Sequence, residues 1–127
     1  MDQDFLNVIS ACSKVERPNQ SGTWITSDMI SAYTLLHRLG WAHSAEAFIE
    51  GRLAGGCYGV RLGNIFFGES MFTLKPNASK AAFLTLAQLL FQNGVSLIDC
   101  QQHTRHLESF GAIDISREKF ITLVRGN

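Results

Sequence analysis

Asn64-Ile65-Phe66-Phe67-Gly68-Glu69-Ser70-Met71-Phe72 is the stretch around which the chain is organised. It is rich in aromatic and apolar residues and reads as a strand, yet one carboxylate sits in its middle. On a regular strand the side-chain period of two sets Glu69 on the same face as Phe67 and Met71. Burial disfavours the charged form of a carboxyl, so such a group is paired with a cation, neutral, or held for a cationic ligand. Two readings stand at this point: an internal salt bridge to Arg61 or Lys80, or a place for a cation from outside.

The segments on either side set the fold class. Ala42 to Ile49, Leu53 to Leu62 and Ile65 to Phe72 read as a three-stranded meander with turns at Glu50-Gly51 and Gly63-Asn64. Gly55, Gly56, Gly59 and Gly68 fall inside these strands, where glycine marks a bulge or a ligand close to the backbone. Downstream, Asn77 or Ser79 starts the strongest helix, which runs to Asn93 and ends at Gly94. Ala82, Phe83, Leu86, Leu89 and Leu90 form its apolar face. Val95 to Gln101 reads as an apolar strand that turns polar at its C-terminal end. Thr104 to Phe110 fits a short helix, Ala112 to Ile115 a short strand, and Ser116 to Arg125 a last helix.

Upstream of the meander, Phe5, Val8, Ile9 and Cys12 repeat at helical spacing and predict a helix over residues 4–13. Lys14 to Thr23 has no period and reads as a loop. Ser27, with Asp28 in the first turn, caps a helix to Leu39 whose buried face is Met29, Ala32, Tyr33 and Leu36. The order is α-α-β-β-β-α-β-α-β-α, which predicts an α+β domain with a mixed sheet and helices on both faces.

A length of 127 residues predicts one domain, residues 1–127. No apolar run is long enough to span a membrane, and Met1-Asp2-Gln3-Asp4 has the wrong charge for a signal peptide, so a cytoplasmic protein is expected. Cys12, Cys57 and Cys100 are odd in number and widely spaced, which fits reduced thiols. The net charge is zero, but residues 51–127 hold eight basic against five acidic residues. That half could touch a few phosphates without forming a duplex-binding surface.

Asp99 and Gln101 stand two apart near the end of a strand, the edge at which open α/β sheets bind ligands. A carboxylate beside a carboxamide can fix which end of the amide accepts a hydrogen bond. Cys100 points the other way and lacks the setting of a nucleophile. Cys100, His103 and His106 cross a strand-to-helix break without a fourth partner, so no metal site is expected. His43 reads as a hydrogen-bonded core histidine. Lys75 and Lys80 flank the start of the main helix and either hold an anion there or stay solvated.

Taken together, several pieces resemble the leucyl/phenylalanyl-tRNA–protein transferase family. They are Gly22-Thr23-Trp24-Ile25-Thr26, Leu36-His37-Arg38-Leu39-Gly40 with Ala42-His43-Ser44, and Gly55-Gly56-Cys57-Tyr58-Gly59-Val60. Phe67 to Phe72, Ala78-Ser79-Lys80, Asp99-Cys100-Gln101, His106-Leu107 and Ser109-Phe110-Gly111-Ala112 complete the match, in order, from Phe5 to Phe120. The resemblance implies an acetyltransferase-like (GNAT) fold. It implies transfer of leucine, phenylalanine or methionine from aminoacyl-tRNA to proteins beginning with arginine or lysine, which marks them for degradation. The implied reaction uses no metal and no cofactor.

The resemblance also implies residue roles. Glu69 would recognise the basic N-terminal residue of the acceptor, and Asp99 would orient Gln101, whose carboxamide oxygen meets the attacking amine. Phe66 and Met71, beside Gly68 and Ser70, would shape the pocket for the transferred side chain, and Trp24 would position the terminal adenosine of the tRNA. An aminoacyl ester is already activated, so the site must supply proximity, orientation and help with one proton.

The family carries a further N-terminal domain ahead of the position of Phe5. Cys57 replaces a larger apolar residue, and Thr73-Leu74 stands where the family has serine and arginine. Lys75-Pro76-Asn77-Ala78 lacks the glycines of an acetyl-CoA loop. Three readings follow: a short transferase acting alone, as a homodimer or with a separate partner; a non-catalytic module that binds basic protein N-termini; or a GNAT enzyme with another acyl donor.

Overall fold

The computed structural model describes residues 1–16 and 24–127. Helices α1 (Phe5–Ser13) and α2 (Ser27–Arg38) precede a meander of β1 (Ala42–Ile49), β2 (Arg52–Leu62) and β3 (Ile65–Thr73). Helix α3 (Ala78–Gln92) leads to β4 (Leu97–Asp99), followed by α4 (Arg105–Glu108) and α5 (Arg117–Arg125). The four strands form one sheet in the order β1-β2-β3-β4. The meander is antiparallel and β4 joins β3 in parallel, which is the mixed sheet that a meander followed by strand-helix-strand predicts.

Helices cover both faces. Phe5, Val8, Ile9 and Cys12 of α1 meet Ala42, Tyr58 and Phe72 on one side. Ala82, Leu86 and Leu90 of α3 meet Ala45, Cys57 and Phe66 on the other. On α2 the packed residues include Ile30, Tyr33 and Leu36, whereas Ala32 is exposed, a correction to the expected face. Its N-cap is Thr26, whose hydroxyl accepts from the Met29 amide at 3.3 Å, and not Ser27. At the start of α1, Asp4 offers no side-chain cap. Glu46 Oε1 on β1 accepts from the Asp4 amide at 3.2 Å instead, setting a carboxylate where the helix dipole favours one.

A further expectation is corrected. The strand placed at Ala112–Ile115 does not form, so the order of elements is α-α-β-β-β-α-β-α-α. The reason lies just upstream. Gln101 takes a left-handed φ of 62°, which turns the chain off the sheet after Asp99 and leaves β4 three residues long. Residues 112–115 have no ladder to join, and Ile113 is 81% exposed. The expected loop over residues 14–23 lies in large part outside the described residues. Among the described residues, no helix is long and apolar enough to cross a membrane. Cys12, Cys57 and Cys100 are free thiols.

Two of the glycines have clear structural causes. The β1–β2 hairpin turns on Glu50 and Gly51, both at positive φ, as a type I′ turn requires. At Gly55 an added Cβ would stand 2.7 Å from the Ser79 backbone nitrogen and from Ala78 Cβ, so β2 passes directly beneath the N-terminus of α3. Gly55→Ala is therefore expected to lower stability by about 1–3 kcal/mol through overpacking. Urea denaturation at neutral pH checks this; an unchanged midpoint would show that helix and strand separate without cost.

Candidate active site

The register between β2 and β3 slips at one place. Ser70 lies opposite Tyr58 and Gly68 opposite Gly59, so Glu69 has no partner on β2. An extra residue of this kind bends the strand and re-aims a side chain. Met71, opposite Cys57, packs into the cluster beneath α3. The Glu69 carboxyl instead turns toward Tyr33 of α2, whose hydroxyl favours the ionised carboxylate and whose ring packs edge-on against Tyr58 with centroids 5.4 Å apart. Tyr33 belongs to the opposite cluster. The shared face expected for Glu69 and Met71 is thus overturned, because a period of two holds only while the strand is regular.

The end of β4 meets this bulge. Phe67 pairs with Asp99, and two residues later the Gln101 side-chain nitrogen donates to the Gly68 carbonyl at 2.7 Å. The same side chain lies near enough to the Glu69 carboxyl to favour its ionised form. With its nitrogen on the Gly68 carbonyl, the carboxamide keeps its oxygen as the acceptor. Asp99 Oδ1 accepts from the Gln101 backbone amide at 2.9 Å, so the carboxylate fixes the main chain of Gln101 and not its amide group. Strand alternation plays no part in bringing the two together, since the strand stops at Asp99. The turn does so.

Burial is the leading influence on Glu69 and raises its pKa above the ordinary value; the nearby charge of Asp99 acts in the same direction. Hydrogen bonds from Tyr33 and Gln101 work against that rise. Burial, followed by the Glu69 charge, in turn pushes the Tyr33 hydroxyl up to about 12. Among the described residues no lysine or arginine forms an ion pair with Glu69. Arg61 donates to the carbonyls of Gly63 and Asn93, each at 2.9 Å, and the Lys80 ammonium lies 5.7 Å from the centre of the Phe110 ring. The two cations considered as internal partners are occupied elsewhere.

Glu69, Gln101, Gly68 and Ser70 border a cavity of about 390 Å³ whose apolar wall includes Phe66, Met71, Phe83 and Leu86. Trp24 is exposed and lines neither this cavity nor the wider hollow between β4, α4 and α5. Cys100 touches both spaces, but burial and then Asp99 raise its thiol pKa, the reverse of what a nucleophile needs. His103 is engaged by Asp114 and Glu108, while His106 packs edge-on against Phe110. His43 Nδ1 lies 2.9 Å from Asp2 Oδ2. Tyr33 is the site residue that the sequence did not point to. Its one local signal was a hydroxyl on a helix face expected to be buried, where it needs a partner.

The model of the leucyl/phenylalanyl-tRNA protein transferase family matches residues 1–125. The chain belongs to that family. Its curated relatives include a leucyl/phenylalanyl-tRNA–protein transferase of Syntrophotalea carbinolica, 56% identical over 124 residues that make up 98% of this chain and 54% of the relative. The protein of the same name from Syntrophobacter fumaroxidans is 52% identical over 126 residues, 99% of this chain and 54% of its own length. That of Myxococcus xanthus is 54% identical over 121 residues, 95% of this chain and 52% of its own. The transferase-family chain thus spans about half the length of these relatives.

A raised pKa means that the folded chain holds the Glu69 proton more tightly than the unfolded chain. The stability it contributes is fully present below the ordinary value of 4.5 and is lost as pH rises through the raised value. Glu69→Gln is expected to raise the urea midpoint at neutral pH, with the gain vanishing in acid. Tyr33→Phe removes a donor and should move the Glu69 pKa further up, which carboxyl-resolved NMR titration measures. A downward move would overturn the assigned hydrogen bond.

Proposed function

We propose that the chain transfers leucine, phenylalanine or methionine from the 3′ end of an aminoacyl-tRNA to proteins whose N-terminal residue is arginine or lysine. One observation carries the reading. A partly buried carboxyl without a lysine or arginine partner among the described residues lies beside a carboxamide whose oxygen is left to accept. On this reading Glu69 meets the basic side chain of the acceptor, and the Gln101 oxygen accepts a hydrogen bond from its α-amine.

The amine nitrogen attacks the ester carbonyl, a C–N bond forms, the bond to the ribose oxygen breaks, and the amine proton ends on that oxygen. A carboxamide is too weak a base to remove the proton outright. It can align an amine that is partly neutral already, since α-amino groups titrate near 8. Asp99 contributes by holding the main chain of Gln101.

The cavity suits an apolar side chain, with Phe66 and Met71 as its walls and Gly68 and Ser70 at its border. Trp24, exposed ahead of α2, is available to stack on the terminal adenosine. The mixed sheet, a meander joined by strand-helix-strand, supports an acetyltransferase-like single domain, although the last expected strand is absent. Ser79 weighs against an acyl-CoA donor: its amide lies 3.5 Å from Thr73 Oγ1, which occupies the N-terminus of α3 from within. A cytoplasmic location goes with aminoacyl-tRNA as donor. Exposed Leu35, Leu39 and Trp41 support a homodimer or a separate protein partner.

The test combines Phe-tRNA with a peptide beginning with arginine. Label should enter the peptide, and Gln101→Ala should slow transfer roughly 100-fold. Glu69→Gln should weaken peptide binding about 10- to 100-fold, the range for a lost hydrogen bond to a charged group. Unchanged peptide affinity in Glu69→Gln would overturn the assignment of that residue. Binding that depends on Glu69 without any transfer would favour a module that recognises basic N-termini.

A further inference from the structure

His103 stands two residues beyond Gln101 and sits between two carboxylates. Its Nδ1 is 3.0 Å from Asp114 Oδ1 and 2.9 Å from Oδ2, and its Nε2 is 3.3 Å from Glu108 Oε1. A neutral imidazole donates from one nitrogen, whereas the imidazolium donates from both. The cation donates from Nδ1 to Asp114 and is held from its other nitrogen by the charge of Glu108, an attraction the neutral ring lacks. The two carboxylates belong to different pieces of chain: Glu108 ends α4, and Asp114 lies in the extended segment that fails to join the sheet. Among the described residues, no other hydrogen bond joins the loop over residues 100–104 to the segment over 112–116.

That loop needs an anchor. Gln101 has φ 62°, a conformation that residues with side chains seldom adopt and that persists only where the surroundings impose it. Upstream the loop is held by Asp99 on the Gln101 amide, 2.9 Å, and by the Gln101 side-chain nitrogen on the Gly68 carbonyl, 2.7 Å. Downstream, Thr104 Oγ1 accepts from the Leu107 amide at 3.1 Å and starts a helix of only four residues. His103 ties that short end to the rest.

We propose that His103 is a positioning residue for the transfer reaction: as a cation bridging Asp114 and Glu108, it fixes the loop that presents the Gln101 carboxamide to the acceptor amine. This rests on the role given to Gln101 above. The remaining charged groups bordering the same hollow are Asp99 at the end of β4 and Arg117 and Lys119 on α5. The hydrogen bond and charge of Asp114, followed by the charge of Glu108, raise the His103 pKa above its ordinary value. The three side chains are largely exposed, so the bridge adds little to global stability; its effect is on local order.

The sign is fixed by the raised pKa. The bridge is complete at pH below the ordinary histidine value and is lost as pH rises through the raised one. Deprotonation of the acceptor amine accelerates parent and variants alike, so the ratio of their rates isolates His103.

Transfer from Phe-tRNA to an arginine peptide is measured for the parent chain, His103→Gln and Asp114→Asn, at about pH 6 and about pH 8.5. Each variant should lower kcat about three-fold at the acid pH with KM for the peptide unchanged, and approach the parent at the alkaline pH. The double variant should be no slower than either single one. Equal slowing at both pH values, additive slowing, or none would overturn the proposal. Amide hydrogen exchange at Gln101 and Gln102, read by NMR without substrate, supplies the independent arm: both variants should exchange faster at the acid pH. Unchanged exchange sinks the bridge whatever the activity. A parent that transfers nothing while exchange responds as expected overturns the role of Gln101 in transfer and leaves the bridge in place. Asp114→Asn keeps the histidine and α4 intact, so it remains informative where His103→Gln fails to fold.

Discussion

One residue too many in β3 governs the site. Because β2 supplies no partner for Glu69, the strand swings the carboxyl out of alternation and toward Tyr33 on α2, while Ser70 and Met71 resume the ladder. The same irregularity leaves the Gly68 carbonyl open to the Gln101 side chain, 2.7 Å away. A single bulge thus joins the meander, α2 and the end of β4, three pieces that are remote in sequence. The arrangement has a cost, since burial of the carboxyl opposes its ionisation, and two donors offset that cost only in part. On the proposed reading, that cost is offset when a cation of the acceptor arrives.

The packing around α3 explains why the site lies here and not at the start of that helix. Helix N-termini hold anions when their amides are free. In this chain Gly55 brings β2 against Ala78 and Ser79, and Thr73 Oγ1 approaches the Ser79 amide. The helix gives its N-terminus to the sheet and its Phe83 and Leu86 to the cavity. The proposed chemistry lies elsewhere, where β4 stops and Gln101 turns away from the sheet.

Much of this architecture is legible in the residues. The meander, α1 and α3 follow from apolar periodicity and turn chemistry, and the bounds of β1 match the reading residue for residue. What escaped detection depends on partners that the local sequence does not contain. Gly68-Glu69 inside a strand hints at a bulge, but register exists only between two strands. Thr26 outranks Ser27 as a cap by one residue, a difference that propensity does not resolve. The expected strand at residues 112–115 has suitable side chains but lacks an edge, because a left-handed Gln101 cut β4 short. Tyr33 became part of the site through tertiary packing alone. The motif Asp99-Cys100-Gln101 was recognised by resemblance, yet the period-two argument for it fails, since a turn and a backbone hydrogen bond do that work.

On the proposed reading, the nearness of Gln101 to Glu69 makes recognition and chemistry interdependent. The Gln101 nitrogen serves the Gly68 carbonyl and lies near the Glu69 carboxyl, whose ionised form it favours. A guanidinium or ammonium arriving at Glu69 favours the ionised carboxylate and strengthens it as an acceptor for both Tyr33 and Gln101. Tightening the nitrogen side of the carboxamide orients its oxygen away from the carboxylate, toward the place where an α-amine would stand. On the proposed reading, a basic first residue therefore does more than bind. It sharpens the acceptor group that aligns its own amine, and an acceptor with a neutral first residue would find Gln101 less firmly held. Selectivity for arginine or lysine then shows in the rate of transfer as well as in affinity, and one bulged glutamate is sufficient to link the two.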